Sequence, residues 1–330
     1  MQSQHFLWHK SVNGIGDRIH HIVQMMELAE KSNARFVIDW RDGMFGELGE
    51  NAFDRWLECS HPLWQPEPDL DEVLHAFEGN HTPSRVADFH VHQFRRNPYQ
   101  YRPTSDAIYR QLGISPKYNS MLDRLLRKLN IIFPLRWMIY RETGERAFPT
   151  ARRIDLQQKT APTLMLCMDV VRTPHWSNER MVWPQEHAIE SIESTWFDMG
   201  LDPDHCAAIH VRQTDKSTST EWKKWISEIK NGKRFEHCTQ LFIATDSKRV
   251  LEAFKQAGLK QSILHNPWLD LTDSEAALHK SDMRGEQIMR TALYDMWTAS
   301  KCQTFLPWRF SSFSRVITAW RRFERPQQSL

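Results

Sequence analysis

A cluster of side chains that can bind phosphate follows a short apolar segment in the second half of the chain. Residues 206–211 are apolar and partly β-branched and follow a proline, so they predict a buried strand. Arg212, Asp215 and Lys216 come directly after it. Ligands of open α/β sheets bind beyond the carboxyl ends of the strands, and an arginine there can hold a diphosphate through two parallel hydrogen bonds. The cluster predicts a nucleotide-diphosphate ligand, with a solvated, salt-bridged loop as the alternative.

Two more polar groups stand at the ends of predicted strands in the same half. Asp246 ends a predicted strand at 241–246, where its carboxylate could accept hydrogen bonds from a base or ribose, or cap the next helix. The segment 311–315 begins the last predicted helix, and its hydroxyls and backbone N–H groups could meet phosphate, with Arg315 nearby. Three such groups on successive strand ends favour a bound nucleotide more strongly than any one alone.

The elements that must position these residues follow α/β order. Apolar runs and helical periodicity predict a first unit of strand, glycine turn, helix and strand, at 6–8, 11–16, 17–31 and 34–39. The second half adds a helix at 248–257, a strand at 262–265, a helix at 285–300 and a strand at 303–306. In the first helix the apolar side chains fall on one face, while His20, Gln24, Glu27 and Lys31 fall on another.

The glycine turn near the N-terminus is a second candidate anion site. A glycine turn over a helix start offers free backbone N–H groups and the positive end of the helix dipole. Asn13, Gly14 and Gly16 lie in this turn, and Asp17 is placed to cap the helix. Ile19 stands where the dinucleotide fingerprint needs its third glycine, so the turn is not that fingerprint.

The order and the amino-acid sequences of these motifs resemble those of a known family. The segments 210–216 (HVRQTDK), 242–246 (FIATD) and 311–315 (SSFSR) resemble the three motifs of the α1,6-fucosyltransferase superfamily. The segments 13–21 and 38–41 are similar to its glycine-rich turn and its second-strand ending. The resemblance implies a GT-B fold, GDP-fucose as donor substrate, inversion at the anomeric carbon, and neither a metal nor another cofactor.

The resemblance also implies roles for individual residues. Arg212 would hold the diphosphate with His210, Asp215 and Lys216 beside it, and Asp246 would read the guanine. Ser311 and Ser312 would touch phosphate. The chain departs from the core enzymes of N-glycans at Gln213, where they carry a second arginine, and Thr220-Glu221 follows the lysine one residue later than in those enzymes.

The chemistry of sugar transfer agrees with this interpretation. Negative charge develops on the leaving diphosphate, and either a metal or fixed cations must neutralise it. The two Asp-x-Asp segments, at 69–71 and 202–204, are flanked by prolines and are interpreted as loop carboxylates, so Arg212, Lys216 and helix N-termini would replace a metal. An inverting transferase also needs a general base, for which Glu221 and Asp215 are candidates and Asp17 a weaker one.

Composition limits the other classes of function. The 330 residues carry a net charge of +2, which does not indicate a nucleic-acid partner. The five cysteines are widely spaced and favour reduced thiols in a cytoplasmic protein, and most of the 14 tryptophans are expected to pack in the core. Basic and apolar residues alternate at 124–141, which could rest on the inner membrane face or on an anionic acceptor, although a solvated helix face is the commoner meaning.

The predicted architecture is α/β and GT-B-like, with two Rossmann-like domains facing across a cleft. Residues 1–184 would form the acceptor-side domain, with a partly helical insertion at about 60–160, and residues 185–330 the nucleotide-sugar domain. The leading function is a fucosyltransferase that joins a nucleotide-sugar donor to a glycan acceptor. A transferase with another donor, or a non-catalytic nucleotide-sugar-binding protein, are the alternatives.

Overall fold

The computed structural model describes two groups of helices and strands and part of the chain between them. Described are residues 5–9, 14–41, 43–47, 49–66, 69, 72–73, 76, 81–82, 164–167, 174–212, 221–232, 235–269, 271, 285–309 and 311–323. Asn13, Gln213, Asp215 and Lys216 lie outside these ranges, as does the segment 124–141 with its predicted surface.

The first group is a four-stranded parallel sheet. Its strands are β1 (Phe6–His9), β2 (Arg35–Ile38), β4 (His81–Thr82) and β5 (Leu164–Cys167), and their order is β2-β1-β5-β4. Helix α1 (Ile15–Ser32) connects the first two strands. The strand, helix and strand predicted for the start of the chain are therefore confirmed, with bounds that differ by one or two residues.

The expected cap of α1 was wrong. The helix begins at Ile15 with Gly14 as its N-cap, so Asp17 lies in the first turn instead. Ile15, Ile19 and Ile22 are all buried and continue one apolar stripe, so burial of Ile15 extends the helix by two residues beyond the predicted start.

The second group is also a four-stranded parallel sheet, with order β10-β7-β8-β9. Its strands are β7 (Cys206–Val211), β8 (Gln240–Thr245), β9 (Ser262–Leu264) and β10 (Thr304–Leu306). The helices of this half are α4 (Glu221–Asn231), α5 (Lys248–Gln256), α6 (Glu286–Lys301) and α7 (Ser312–Arg322). The carboxyl ends of β10, β7 and β8 are neighbours, so Arg212, Asp246 and the segment before α7 share one edge of the sheet.

Short elements join the two sheets. Helix α2 (Ala52–Trp56) leads into β3 (Leu57–Cys59), which pairs antiparallel with β6 (Val182–Pro184), and α3 (Glu186–Met199) follows. One continuous apolar core includes Ile19 of α1, Phe53 of α2, Leu293 of α6 and Trp320 of α7. Elements of both halves therefore pack on a shared core.

The tryptophans and cysteines pack as expected in the described part of the chain. Nine tryptophans are buried: Trp8, Trp40, Trp56, Trp183, Trp196, Trp222, Trp297, Trp308 and Trp320. Cys59, Cys206, Cys238 and Cys302 are buried free thiols. Among the described helices, none has a stretch both long and apolar enough to cross a membrane.

Candidate functional site

The starts of α1 and α7 meet, although almost the whole chain separates them in sequence. The Ser312 hydroxyl donates a short hydrogen bond to Oδ1 of Asp17. Two residues predicted to bind the donor, one from each half, are therefore in direct contact. Each helix N-terminus carries partial positive charge, and the anionic group that the structure places between them is the Asp17 carboxylate.

Gly16 is the residue that lets the two helices approach so closely. A Cβ atom added at Gly16 would lie 2.5 Å from the backbone nitrogen of Phe313, a distance that real Cβ atoms do not adopt. At Gly14 the same atom would have nothing within 4 Å. The two glycines of the predicted anion turn thus differ, because only at Gly16 is there no room for a side chain.

His210 is held by the first turn of α7. Its Nδ1 lies 2.6 Å from the Ser314 hydroxyl, which also accepts a 2.9 Å hydrogen bond from the backbone N–H of Trp308. The imidazole packs against the Phe313 ring with a centroid separation of 4.8 Å. The strand end of β7 and the start of α7 are therefore connected through a side chain and a ring contact.

Burial sets the charge of His210. Burial, and to a lesser degree the neighbouring Arg212 guanidinium, lower the pKa of His210 to about 3. The imidazole is thus neutral at any ordinary pH and acts through hydrogen bonds rather than through charge. Arg212, two residues later, adds a guanidinium to this strand end.

His20 lies at the same junction and was not selected from the sequence. Burial, and then the nearby Arg315 and His21, lower the pKa of His20 to about 4, while Asp17 opposes this shift. Its ring lies 5.6 Å from that of Trp176. His20 lies within segment 13–21, which resembles the family's glycine-rich turn, but its place on the polar face of the predicted helix does not distinguish a site residue from a surface histidine.

A buried acid, Asp295, stands near the partly buried Asp246. Asp295 of α6 accepts a 3.0 Å hydrogen bond from the Asn266 amide. Burial raises the pKa of Asp295 to about 8; the Asn266 hydrogen bond opposes this, and the nearby Asp246 adds to the rise. Asp246, the predicted guanine reader, therefore has as its neighbour a carboxyl group whose raised pKa favours the protonated form. The sequence offered no sign of Asp295, which stands in an apolar helix pattern.

The remaining predicted residues lie at the starts of α7 and α4 or outside the described part of the chain. Ser311 is the N-cap of α7 and accepts a hydrogen bond from the backbone N–H of Ser314, so it has a structural role. Arg315 is exposed in the first turn of the same helix, and Glu221 is the first residue of α4. Asn13, Asp215 and Lys216 lie outside the described residues, so their places in the site stay predictions.

The carboxylates of the second Asp-x-Asp segment are loop groups, as interpreted. Asp202 caps a short 3₁₀ helix (Pro203–His205), and its Oδ2 lies 2.7 Å from Nδ1 of His205. This loop precedes β7 and is therefore at the opposite end of the strand from Arg212. Within the described ranges, no group of three or more His, Cys, Asp or Glu side chains is arranged to hold a metal ion.

Solved structures provide the comparison with known proteins. No protein-family model matches the chain, and no curated protein matches it. The chain is similar to the NodZ α1,6-fucosyltransferase co-crystallised with GDP, with 18% identity over 96% of this chain and 92% of that chain and a TM-score of 0.56. It is also similar to the fucosyltransferase NodZ from Bradyrhizobium, with 17% identity, the same coverage and a TM-score of 0.53.

A third structure, NodZ soaked with GDP-fucose, has 16% identity, the same coverage and a TM-score of 0.54. The match runs over nearly the full length of both chains, which includes both parallel sheets. At this level of identity the comparison concerns the fold. The chain therefore has an α/β, GT-B-like fold, which it shares with these solved structures.

Proposed function

We propose that this protein is a glycosyltransferase that moves fucose from GDP-fucose to a glycan acceptor, with inversion at the anomeric carbon and without a metal. The observation that carries the proposal is the junction of α1 and α7, where Asp17 contacts Ser312 beside the strand end that bears His210 and Arg212. NodZ structures with this fold were obtained with GDP and with GDP-fucose, which supports GDP-fucose as the donor.

The proposed diphosphate site combines fixed dipoles with cations. The N-termini of α1 and α7 meet at the junction, and Arg315 lies close enough to it to lower the pKa of His20. Arg212 lies beside His210 at the end of β7. Helix N-termini and guanidinium groups both stabilise the negative charge that develops on a leaving diphosphate. Lys216 would add a further cation.

Arg212 is the residue on which this chemistry depends most. A guanidinium can bind two phosphate oxygens at once, whereas an ammonium is a point charge. His210 is neutral, so it can donate a hydrogen bond but adds no positive charge. Gln213 takes the place of the second arginine of the core enzymes, so Arg212 would carry the charge stabilisation at this position alone.

The general base is proposed from two candidates. Glu221 begins α4, directly after the segment that holds Asp215, and either carboxylate could receive the acceptor proton. Asp17 is the weaker candidate because its Oδ1 already accepts the Ser312 hydrogen bond. Asp17 is better suited to fixing the two halves than to proton transfer.

The guanine and the diphosphate of the bound donor would lie at the ends of different strands. Asp246 follows β8 and would accept hydrogen bonds from guanine, while Ser311 and Ser312 would approach the phosphates. The division into an acceptor-side domain at 1–184 and a donor domain at 185–330 is part of the same proposal. The glycan acceptor and the cytoplasmic location also belong to the proposal.

Substitution of Arg212 tests the proposal. We expect Arg212→Ala to reduce hydrolysis of GDP-fucose at least 100-fold, and Arg212→Lys to retain an intermediate rate because it keeps the charge without the paired hydrogen bonds. Arg322→Ala, which removes an exposed arginine at the far end of α7, is the matched control. Rates are measured by release of GDP, with circular dichroism to confirm folding.

A folded Arg212→Ala variant with the wild-type rate would contradict the proposal. Hydrolysis of another nucleotide sugar in place of GDP-fucose would favour the transferase with a different donor. Tight binding of GDP-fucose without hydrolysis or transfer to any glycan tested would favour the non-catalytic binding protein.

A further inference from the structure

The geometry points to Ser314 as a positioning residue, whose hydroxyl fixes the tautomer of His210 that presents Nε2–H to a nucleoside diphosphate. This inference rests on the proposed function and adds a residue to it. Ser314 belongs to α7 and is only 1% exposed, so it cannot contact a ligand itself. Any effect on the ligand must act through its neighbours.

The hydrogen bonds of Ser314 determine the direction of the bond to His210. The Ser314 hydroxyl oxygen has two close partners, the Trp308 backbone nitrogen at 2.9 Å and Nδ1 of His210 at 2.6 Å. The Trp308 N–H can only donate, so it occupies one lone pair of the oxygen. The hydroxyl proton then needs an acceptor, and Nδ1 of His210 is the one within reach among the described residues.

The direction of that bond decides which ring nitrogen carries the proton. A neutral imidazole has one N–H and one bare nitrogen. His210 is neutral because burial lowers its pKa to about 3. Since Nδ1 accepts from Ser314, it is the bare nitrogen, and Nε2 carries the hydrogen.

The same contacts favour one orientation of the imidazole ring. The Phe313 ring packs against one side of the imidazole at 4.8 Å, and the Trp308 N–H fixes the rotation of the Ser314 hydroxyl. His210 therefore presents a fixed, uncharged donor at the end of β7. A phosphate or ribose oxygen that reaches this strand end would accept from Nε2–H, beside the charged contact from Arg212.

Nitrogen NMR tests the tautomer directly. With histidine labelled at both ring nitrogens, the protonated and bare nitrogens of a neutral imidazole give well-separated resonances. The His210 signals are assigned by their loss in His210→Gln. We expect a protonated Nε2 and a bare Nδ1 in the wild type, and a changed tautomer ratio in Ser314→Ala.

Calorimetry tests whether the tautomer matters for the ligand. We expect Ser314→Ala to weaken GDP binding about ten-fold, as for loss of one well-oriented hydrogen bond to a charged ligand. The control Thr318→Val removes another hydroxyl hydrogen bond of α7, from Thr318 to the Ser314 carbonyl, without touching His210. It should leave the affinity unchanged.

A double substitution separates positioning from general damage to α7. Glutamine at position 210 carries a fixed amide donor and has no tautomers, so Ser314→Ala should cause little further loss of affinity in a His210→Gln background. An equal ten-fold loss in both backgrounds would overturn the inference. So would a wild-type His210 with protonated Nδ1, or unchanged GDP binding in Ser314→Ala.

Failure of the proposed function has a different signature. If the wild type binds no GDP, the proposed function fails and so does the ligand half of this inference. The NMR measurement, which needs no ligand, still decides whether Ser314 sets the tautomer of His210.

Discussion

His9 and His210 occupy similar places in the two sheets and have different surroundings. His9 is the last residue of β1, and His210 the second-last of β7, each in an interior strand of a parallel sheet. Burial lowers the pKa of both. Yet Nδ1 of His210 pairs with Ser314, whereas the ring nitrogens of His9 have no hydrogen-bond partner among the described residues beyond its own backbone carbonyl.

This difference supports the proposal that the ligand binds at the end of the second sheet. An imidazole oriented by a second side chain presents a defined group, as metal-bound histidines do through their outer contacts. A buried imidazole without a hydrogen-bond partner costs stability, and nothing fixes which of its nitrogens donates. The neighbouring His21 and Arg18 lower the pKa of His9 further. The contrast therefore supports the proposed placement of the donor at the second sheet.

The contact between the two halves gives the prediction with the largest effect. Gly16→Ala places a methyl group against the backbone of Phe313, so either the start of α7 moves or the protein loses about 1–3 kcal/mol of stability. Because α7 also holds His210, GDP affinity should fall with it. Urea unfolding and calorimetry measure the two effects.

Gly14→Ala is the control for this substitution. Its φ of −65° suits any residue, and its Cβ would meet nothing within 4 Å. Stability should fall by no more than about 1 kcal/mol, because an N-cap prefers glycine over alanine. Equal loss of stability in both variants would contradict the argument from close approach.

Acid should destabilise the protein through its buried histidines. An unfolded histidine takes up a proton below about pH 6.5, but folded His210 does so only near pH 3. The unfolded state therefore binds more protons in this window, and stability falls as the pH drops from 6.5. By pH 5 the loss in free energy of unfolding that is due to His210 reaches about 2 kcal/mol.

The matched variant for this effect is His210→Gln, which has no titrating group at that position. The difference in unfolding free energy between pH 8 and pH 5 should be smaller for His210→Gln than for the wild type. Identical differences would show that His210 is not held neutral.

Replacement of either histidine by leucine gives the smallest predicted effect on the free energy of unfolding. It compares the two imidazoles most directly. At pH 8, His210→Leu should cost about 1 kcal/mol because it leaves the Ser314 hydroxyl without its partner, whereas His9→Leu should be neutral or stabilising. Chemical denaturation of both variants measures this. A larger loss in His9→Leu would reverse the comparison.

Periodicity and turn residues predicted most strands and helices near the two sheets, because each is a local pattern. The strand at 206–211 and the helix start after Ser311 match the structure closely. The cap of α1 was wrong because burial of Ile15, a tertiary effect, extended the helix.

The contacts within the site could not be read from the sequence. Asp17 and Ser312 are 295 residues apart, and His210 and Ser314 are 104 apart. His20 lies on the polar face of α1, yet it is buried because Trp176 and the start of α7 lie over that face. Asp295 stands in an apolar pattern, and only the placement of α6 beside β8 brings it near Asp246.

The most direct test of the central claim is a calorimetric titration of the wild-type protein with GDP, ADP and UDP, with and without EDTA. A nucleotide that binds only the folded state also raises its apparent stability, so thermal unfolding is the parallel measurement. We predict selective binding of GDP that EDTA does not change. Binding of none of the three, or of all three equally, would contradict the assignment of the second sheet as a guanosine-diphosphate site.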